Sequence, residues 1–163
     1  MVENLLEQKE QKRVYFSFGP EEKEGFEKYS CLDTSRFNDN SIDEIAGSFV
    51  LERVFDLVAF IKETHRILKP GAKAIFCSTY FAASEAYTDP RNLRKLSEFS
   101  LNFASKKWRE ANKFDLEIDF DFEVLTGLAV DPFFQLRSTE VQQWAMFRHL
   151  NGAKTVHFTL TKN

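Results

Sequence analysis

The chain has 163 residues, 43% hydrophobic and 29% charged, with a formal net charge of −3. That balance suits one globular domain with a real core and excludes a disordered or low-complexity chain. Lys and Arg are scattered rather than gathered in a stripe, which argues against nucleic acid as a partner. No apolar run reaches the roughly 18 residues a membrane span needs.

Phenylalanine stands out, with 18 copies against 6 glycines. So many rings imply a bulky core or a greasy groove, most of them core, and in a domain this small they are compatible with a homodimer. Cys31 and Cys77 lack metal-ligand spacing, so no metal is expected, and they suit a reduced, cytoplasmic setting.

The organisation expected is a charged lead-in over 1–12 and a single domain over 13–163. Arg13–Phe18 reads as a strand closed by Gly19-Pro20, and Phe26–Cys31 as a short second strand. A polar turn at Phe37–Ser41 leads into a buried strand at Ile42–Phe49. Val54, Leu57, Val58, Ile61, His65 and Leu68 recur at helical spacing, and Lys69-Pro70-Gly71 ends that helix. Ala72–Ser78 is then another strand. A strand, helix, strand order with strands apolar on both faces predicts a right-handed crossover in a parallel sheet. Further on, Leu93–Trp108 reads as a helix and Leu116–Leu125 as a half-exposed strand. A helix from Ser138 to about His149 and a last strand at Lys154–Thr161 follow. The late strands predict an antiparallel edge or hairpin on a mostly parallel α/β sheet.

Three segments in order resemble the class I S-adenosylmethionine-dependent methyltransferases. Asp33 precedes a Phe37-Asn38-Asp39-Asn40-Ser41-Ile42-Asp43 turn, similar to the family's D-N-S-x-D entry to its fourth strand. Ser48-Phe49-Val50-Leu51-Glu52-Arg53 resembles S-H-V-L-E-H, and Arg66-Ile67-Leu68-Lys69-Pro70-Gly71-Ala72 resembles R-x-L-K-P-G-G. Tyr15–Pro20 with Gly25-Phe26 looks like a degenerate copy of the glycine loop, and Glu85–Pro90 and Val156–Leu160 are similar to segments of a compact branch. The resemblance implies a Rossmann-like fold of the seven-strand type with an antiparallel C-terminal strand. Here Glu21–Gly25 is too short for a full helix between the first two strands.

For the site, the resemblance implies S-adenosylmethionine as cofactor, met by Ser17, Gly19, Ser30, Asp33, Ser48 and Phe49. Tyr80 and Tyr87 would line the acceptor, a small molecule or glycan-type polymer. Three positions depart from the pattern. Ser17-Phe18 replaces Gly-Cys, Ser30 stands where a ribose-binding acid is usual, and Phe49 replaces a histidine. A shifted register would recruit Glu27 or Asp33 for the ribose. Two readings stay open: a working methyltransferase, or a pseudo-methyltransferase kept as a binding or assembly module. His65 is expected in the core or at its boundary. Glu52 and Arg53 are expected on the surface. Phe133, Phe134 and Trp144 read as core or as an apolar patch for a partner.

Overall fold

The computed structural model describes residues 11–18, 22–29 and 34–163. Within them, runs of β-branched and aromatic residues form β1 (Arg13–Phe16), β2 (Glu27–Tyr29), β3 (Ile42–Ser48), β4 (Leu68–Thr79), β5 (Phe122–Val130) and β6 (Ala153–Lys162). They join in one sheet of order β2-β1-β3-β4-β6-β5. The first four strands run parallel, and β6 is antiparallel to both β4 and β5. This is the α/β, mostly parallel Rossmann-like arrangement expected, with six strands among the described residues. None of the described residues between β1 and β2 is helical; Gly25, at φ +76°, turns the chain back instead.

Helix α1 (Leu57–Ile67) makes the crossover between β3 and β4. Asp56 caps it by accepting from the Ala59 N–H at 2.9 Å. Its buried face is Phe60, Ile61, Thr64 and Ile67. Phe60 sets its ring 5.8 Å from those of Phe16 and Phe76. The helix is therefore shorter than the apolar spacing predicted: Val54 precedes it and Leu68 already pairs with Ile42 in β4. Lys69-Pro70-Gly71 lies inside that strand, with Gly71 at φ +76°. At the far end, buried Lys162 donates to Asn40 Oδ1, His65 O and Leu68 O at 2.8, 2.6 and 2.9 Å. Its charge sits where helix carbonyls need donors.

Burial along β4 alternates. Ala74, Phe76 and Ser78 are fully buried, while Lys73, Ile75, Cys77 and Thr79 are not. On β6, Val156, Phe158 and Leu160 are buried and Thr155, His157 and Thr159 are more exposed. The expectation of strands buried on both faces fails here, because α1 packs on the Phe16–Phe76 side.

Two further expectations are corrected. Leu93–Trp108 is not one helix. The Arg94 guanidinium donates to the carbonyls of Leu51, Val54 and Phe55, Leu96 bridges to Tyr80, and the Ser100 hydroxyl accepts from the Ser97 N–H. Only Asn102–Ala104 and α2 (Lys106–Asn112) are helical. The predicted strand at Leu116–Leu125 lies further on, as β5, since pairing with β6 runs from Phe122↔Lys162 to Val130↔Ala153. A short α3 (Pro132–Gln135) follows, and α4 (Thr139–Arg148) matches expectation, with Ser138 at its N-cap. Gly152 then passes so close to α4 that an added Cβ would lie 1.8 Å from the Ala145 carbonyl oxygen.

Candidate functional site

The chain leaves β1 toward β2 on one side and returns to β3 on the other. The carboxyl ends of β1 and β3 thus flank the point where strand order reverses, where open α/β sheets bind ligands. Phe16 is level with Gly47, so the next residues, Ser17 and Ser48, end the two strands side by side. Ser17 is 5% exposed, and its N–H donates to Tyr29 O at 3.2 Å. Gly47 lets β3 sit low: a Cβ there would come within 2.9 Å of the Phe76 ring. Phe49 adopts φ +56° while its N–H donates to Cys77 O at 2.8 Å. Left-handed backbone costs a non-glycine residue about 1–2 kcal/mol, and such strain collects at functional sites.

Beyond Phe49, fully buried Val50 and Leu51 anchor the loop. Glu52 is 2% exposed, a correction to its expected surface place. Its Oε1 accepts from the Thr79 N–H at 2.6 Å, and its Oε2 has no partner. The same loop end also buries the unpartnered Ser78 Oγ and Arg53 Nε. Arg53 pairs with Asp89 at 2.8 Å and places its guanidinium 6.0 Å from the centre of the Phe18 ring. Hydrogen bonds from Arg91, aided by the charge of Arg53, hold the Asp89 carboxyl well below its ordinary range. Phe18, Arg53 and Asp89 thus link the end of β1 to the loops after β3 and β4. The family-like segment around Glu52 hinted that the loop matters. Its burial depends on Thr79, which is remote in sequence.

Ser17, Ser48 and Phe49 are therefore brought together. Gly19, Ser30 and Asp33 lie outside the described residues. Glu27, the alternative ribose ligand, opens β2 at its amino end and accepts from the Tyr29 hydroxyl at 2.7 Å. Tyr80 is 1% exposed, its hydroxyl 3.1 Å from Glu98. Burial and that carboxylate raise its phenol well above the ordinary value. Tyr87 is exposed, with the Lys95 ammonium 4.9 Å from its ring centre. His65 packs beside the Phe122 and Phe120 rings at 5.0 and 5.9 Å, and burial pushes its imidazole below the ordinary value. Burial also raises the Cys77 thiol. Among the described residues no cluster of three or more His, Cys, Asp or Glu could hold a metal ion, and no helix is long and apolar enough to cross a membrane.

Residues 5–76 match the family model described as a methyltransferase domain. A methyltransferase from Archaeoglobus fulgidus, named S-adenosylmethionine-dependent, superposes with a TM-score of 0.62 at 13% identity, over 93% of this chain and 86% of that one. The chain has the fold of the class I S-adenosylmethionine-dependent methyltransferases. A chain of the complex between the Haloferax volcanii Trm112 methyltransferase activator and a candidate methyltransferase is also similar: TM-score 0.53, 14% identity, coverage 93% and 72%. Haemonchus contortus phosphoethanolamine N-methyltransferase 2 gives a TM-score of 0.51 at 13% identity, over 93% of this chain and 48% of that one. No curated protein matches the chain in sequence.

In this methyltransferase fold, the described groups at the ligand end offer apolar surface to the apolar parts of a cofactor. Phe18 and Phe49 leave 37% and 41% of their surface exposed at the ligand end of the sheet. The Phe18 face is already taken by the Arg53 guanidinium, 6.0 Å from the ring centre, which leaves the Phe49 ring for such a ligand.

Proposed function

We propose that this chain binds S-adenosylmethionine between the carboxyl ends of β1 and β3 and transfers its methyl group to a small-molecule or glycan-type acceptor. One observation carries the reading: Ser17, Ser48 and strained Phe49 converge at the strand-order reversal. The methyltransferase-domain match over residues 5–76 supports the same cofactor. When bound, the sulfonium supplies the methyl carbon: the acceptor's lone pair forms the new bond, the S–C bond breaks toward sulfur, and the acceptor's proton leaves.

This chain's part in that chemistry is positioning. Ser17 and Ser48, at the ends of β1 and β3, are assigned to the methionine end, and the backbone near Gly19 is its expected neighbour. Asp33 is assigned to the adenine amino group and Ser30 to the ribose, where a neutral hydroxyl binds more weakly than a carboxylate. The Phe49 ring, which cannot take a proton, would line the methyl-transfer site. The acceptor's proton therefore goes to solvent, which suits acceptors that ionise easily. Tyr87, 63% exposed, is assigned to the acceptor.

The second reading, a pseudo-methyltransferase acting as a binding or assembly module, draws on the Phe18–Arg53–Asp89 link across the ligand end. Thermal unfolding with S-adenosylmethionine or S-adenosylhomocysteine separates the two. Ligand at 100 times its Kd adds about 2.7 kcal/mol, a melting rise of roughly 5–10 °C for this size. A rise supports the cofactor site. An unchanged melting curve at millimolar ligand refutes it and favours the module.

A further inference from the structure

Helix α4 buries little of its apolar surface. Of its residues only Ala145 is buried, and Met146 packs partly against the core. At 3.6 residues per turn, Glu140, Val141, Trp144, Phe147 and Arg148 fall within an arc of roughly 120° centred on Trp144, opposite Met146. Val141, Trp144 and Phe147 are 41%, 55% and 57% exposed. On α3 and in the turns that follow α3 and α4, Phe133, Leu136 and Leu150 are exposed by 69%, 97% and 62%. With side chains of about 150–250 Å² each, these six present on the order of 600 Å² of apolar surface. That is at the top of what a monomer shows, and close to the ~800 Å² each partner of a stable complex contributes.

The sequence of the stripe says what covers it. Around Trp144, Glu140 and Arg148 stand four residues to either side with opposite charge, and Val141 and Phe147 three residues to either side. Pairing two copies antiparallel about a two-fold axis at Trp144 sets Glu140 against the partner's Arg148, twice by symmetry. The same operation sets Val141 against the partner's Phe147 and stacks the two indoles. A two-fold interface requires such self-complementarity, whereas a foreign partner does not. Parallel pairing would face like charges. We infer that this face of α4, flanked by α3, is a homodimer interface built on Trp144.

The test is sedimentation of the full chain at micromolar to submillimolar concentration. The chain is expected to pass from its own mass to twice that mass. Trp144→Glu holds it monomeric without changing its far-ultraviolet circular dichroism, because the residue points away from the core. Glu140→Arg and Arg148→Glu each weaken the dimer about tenfold through two symmetry-related pairs, and the double reversal restores it. A chain that stays monomeric throughout overturns the inference. So does a dimer that survives Trp144→Glu, or single reversals that the double variant fails to rescue. The reversals lie on the exposed face, so they decide the matter even if Trp144→Glu misfolds.

Discussion

Replacing Glu52 with Ala tests how the loop after β3 is held at the ligand end. The carboxylate accepts from the Thr79 N–H at 2.6 Å while the residue is 2% exposed. A hydrogen bond to a charged group contributes about 1.5–3 kcal/mol, and its loss strands a backbone donor. Against that, Oε2 is buried without a partner, so removing it relieves part of the desolvation cost. The net loss is about 2 kcal/mol. For a chain of this length that lowers Tm by about 4–8 °C. Glu52→Gln keeps an oxygen for Thr79 and is expected to cost less than about 1 kcal/mol. Urea and thermal unfolding measure both variants, and hydrogen exchange at the Thr79 amide localises the effect. A Glu52→Ala protein melting within about 1 °C of the parent, or a Gln variant as damaged as the Ala one, refutes the reasoning.

Lys162→Met leaves Asn40 Oδ1, His65 O and Leu68 O without their donor. It is expected to cost about 3 kcal/mol, read as a fall in urea midpoint with unchanged m-value. His65 has a folded pKa below its unfolded value, so the unfolded chain binds more protons in that window. Stability present above about pH 6.5 is therefore lost as pH falls toward the folded value, and His65→Leu flattens that slope in denaturation at pH 5–7.5. Phe49→Asn relieves a left-handed ring residue. Tm is expected to rise by roughly 2 °C, while S-adenosylmethionine affinity drops in calorimetric titration; unchanged affinity would separate the strain from the site.

The parts legible in the sequence were those where local pattern and tertiary context agree. Val14-Tyr15-Phe16 and Ile45-Ala46-Gly47 are buried strands because neighbours flank them on both sides. β6 keeps its alternation, and Ser138 marks the start of α4. Elsewhere the pattern allowed several answers and a distant group chose. The apolar-acidic alternation at Leu116–Leu125 suits a strand, but β6 selects Phe122–Val130 as its partner. Helical spacing in Leu93–Trp108 loses to Arg94, whose guanidinium binds three carbonyls of the loop after β3. That β3 ends at Ser48 followed from the apolar run and the family-like segment. The burial of Glu52 did not, because its partner is the backbone of Thr79 on another strand.

The central claim is that the cofactor sits where β1 and β3 end. Backbone amide resonances, followed while S-adenosylhomocysteine is added to the full chain, test it most directly. Saturable shifts are expected at Ser17, Phe18, Ser48 and Phe49, with Thr126 on β5 and Trp144 on α4 unmoved. An unchanged spectrum at millimolar ligand, or shifts confined to β5 and α4, would contradict it.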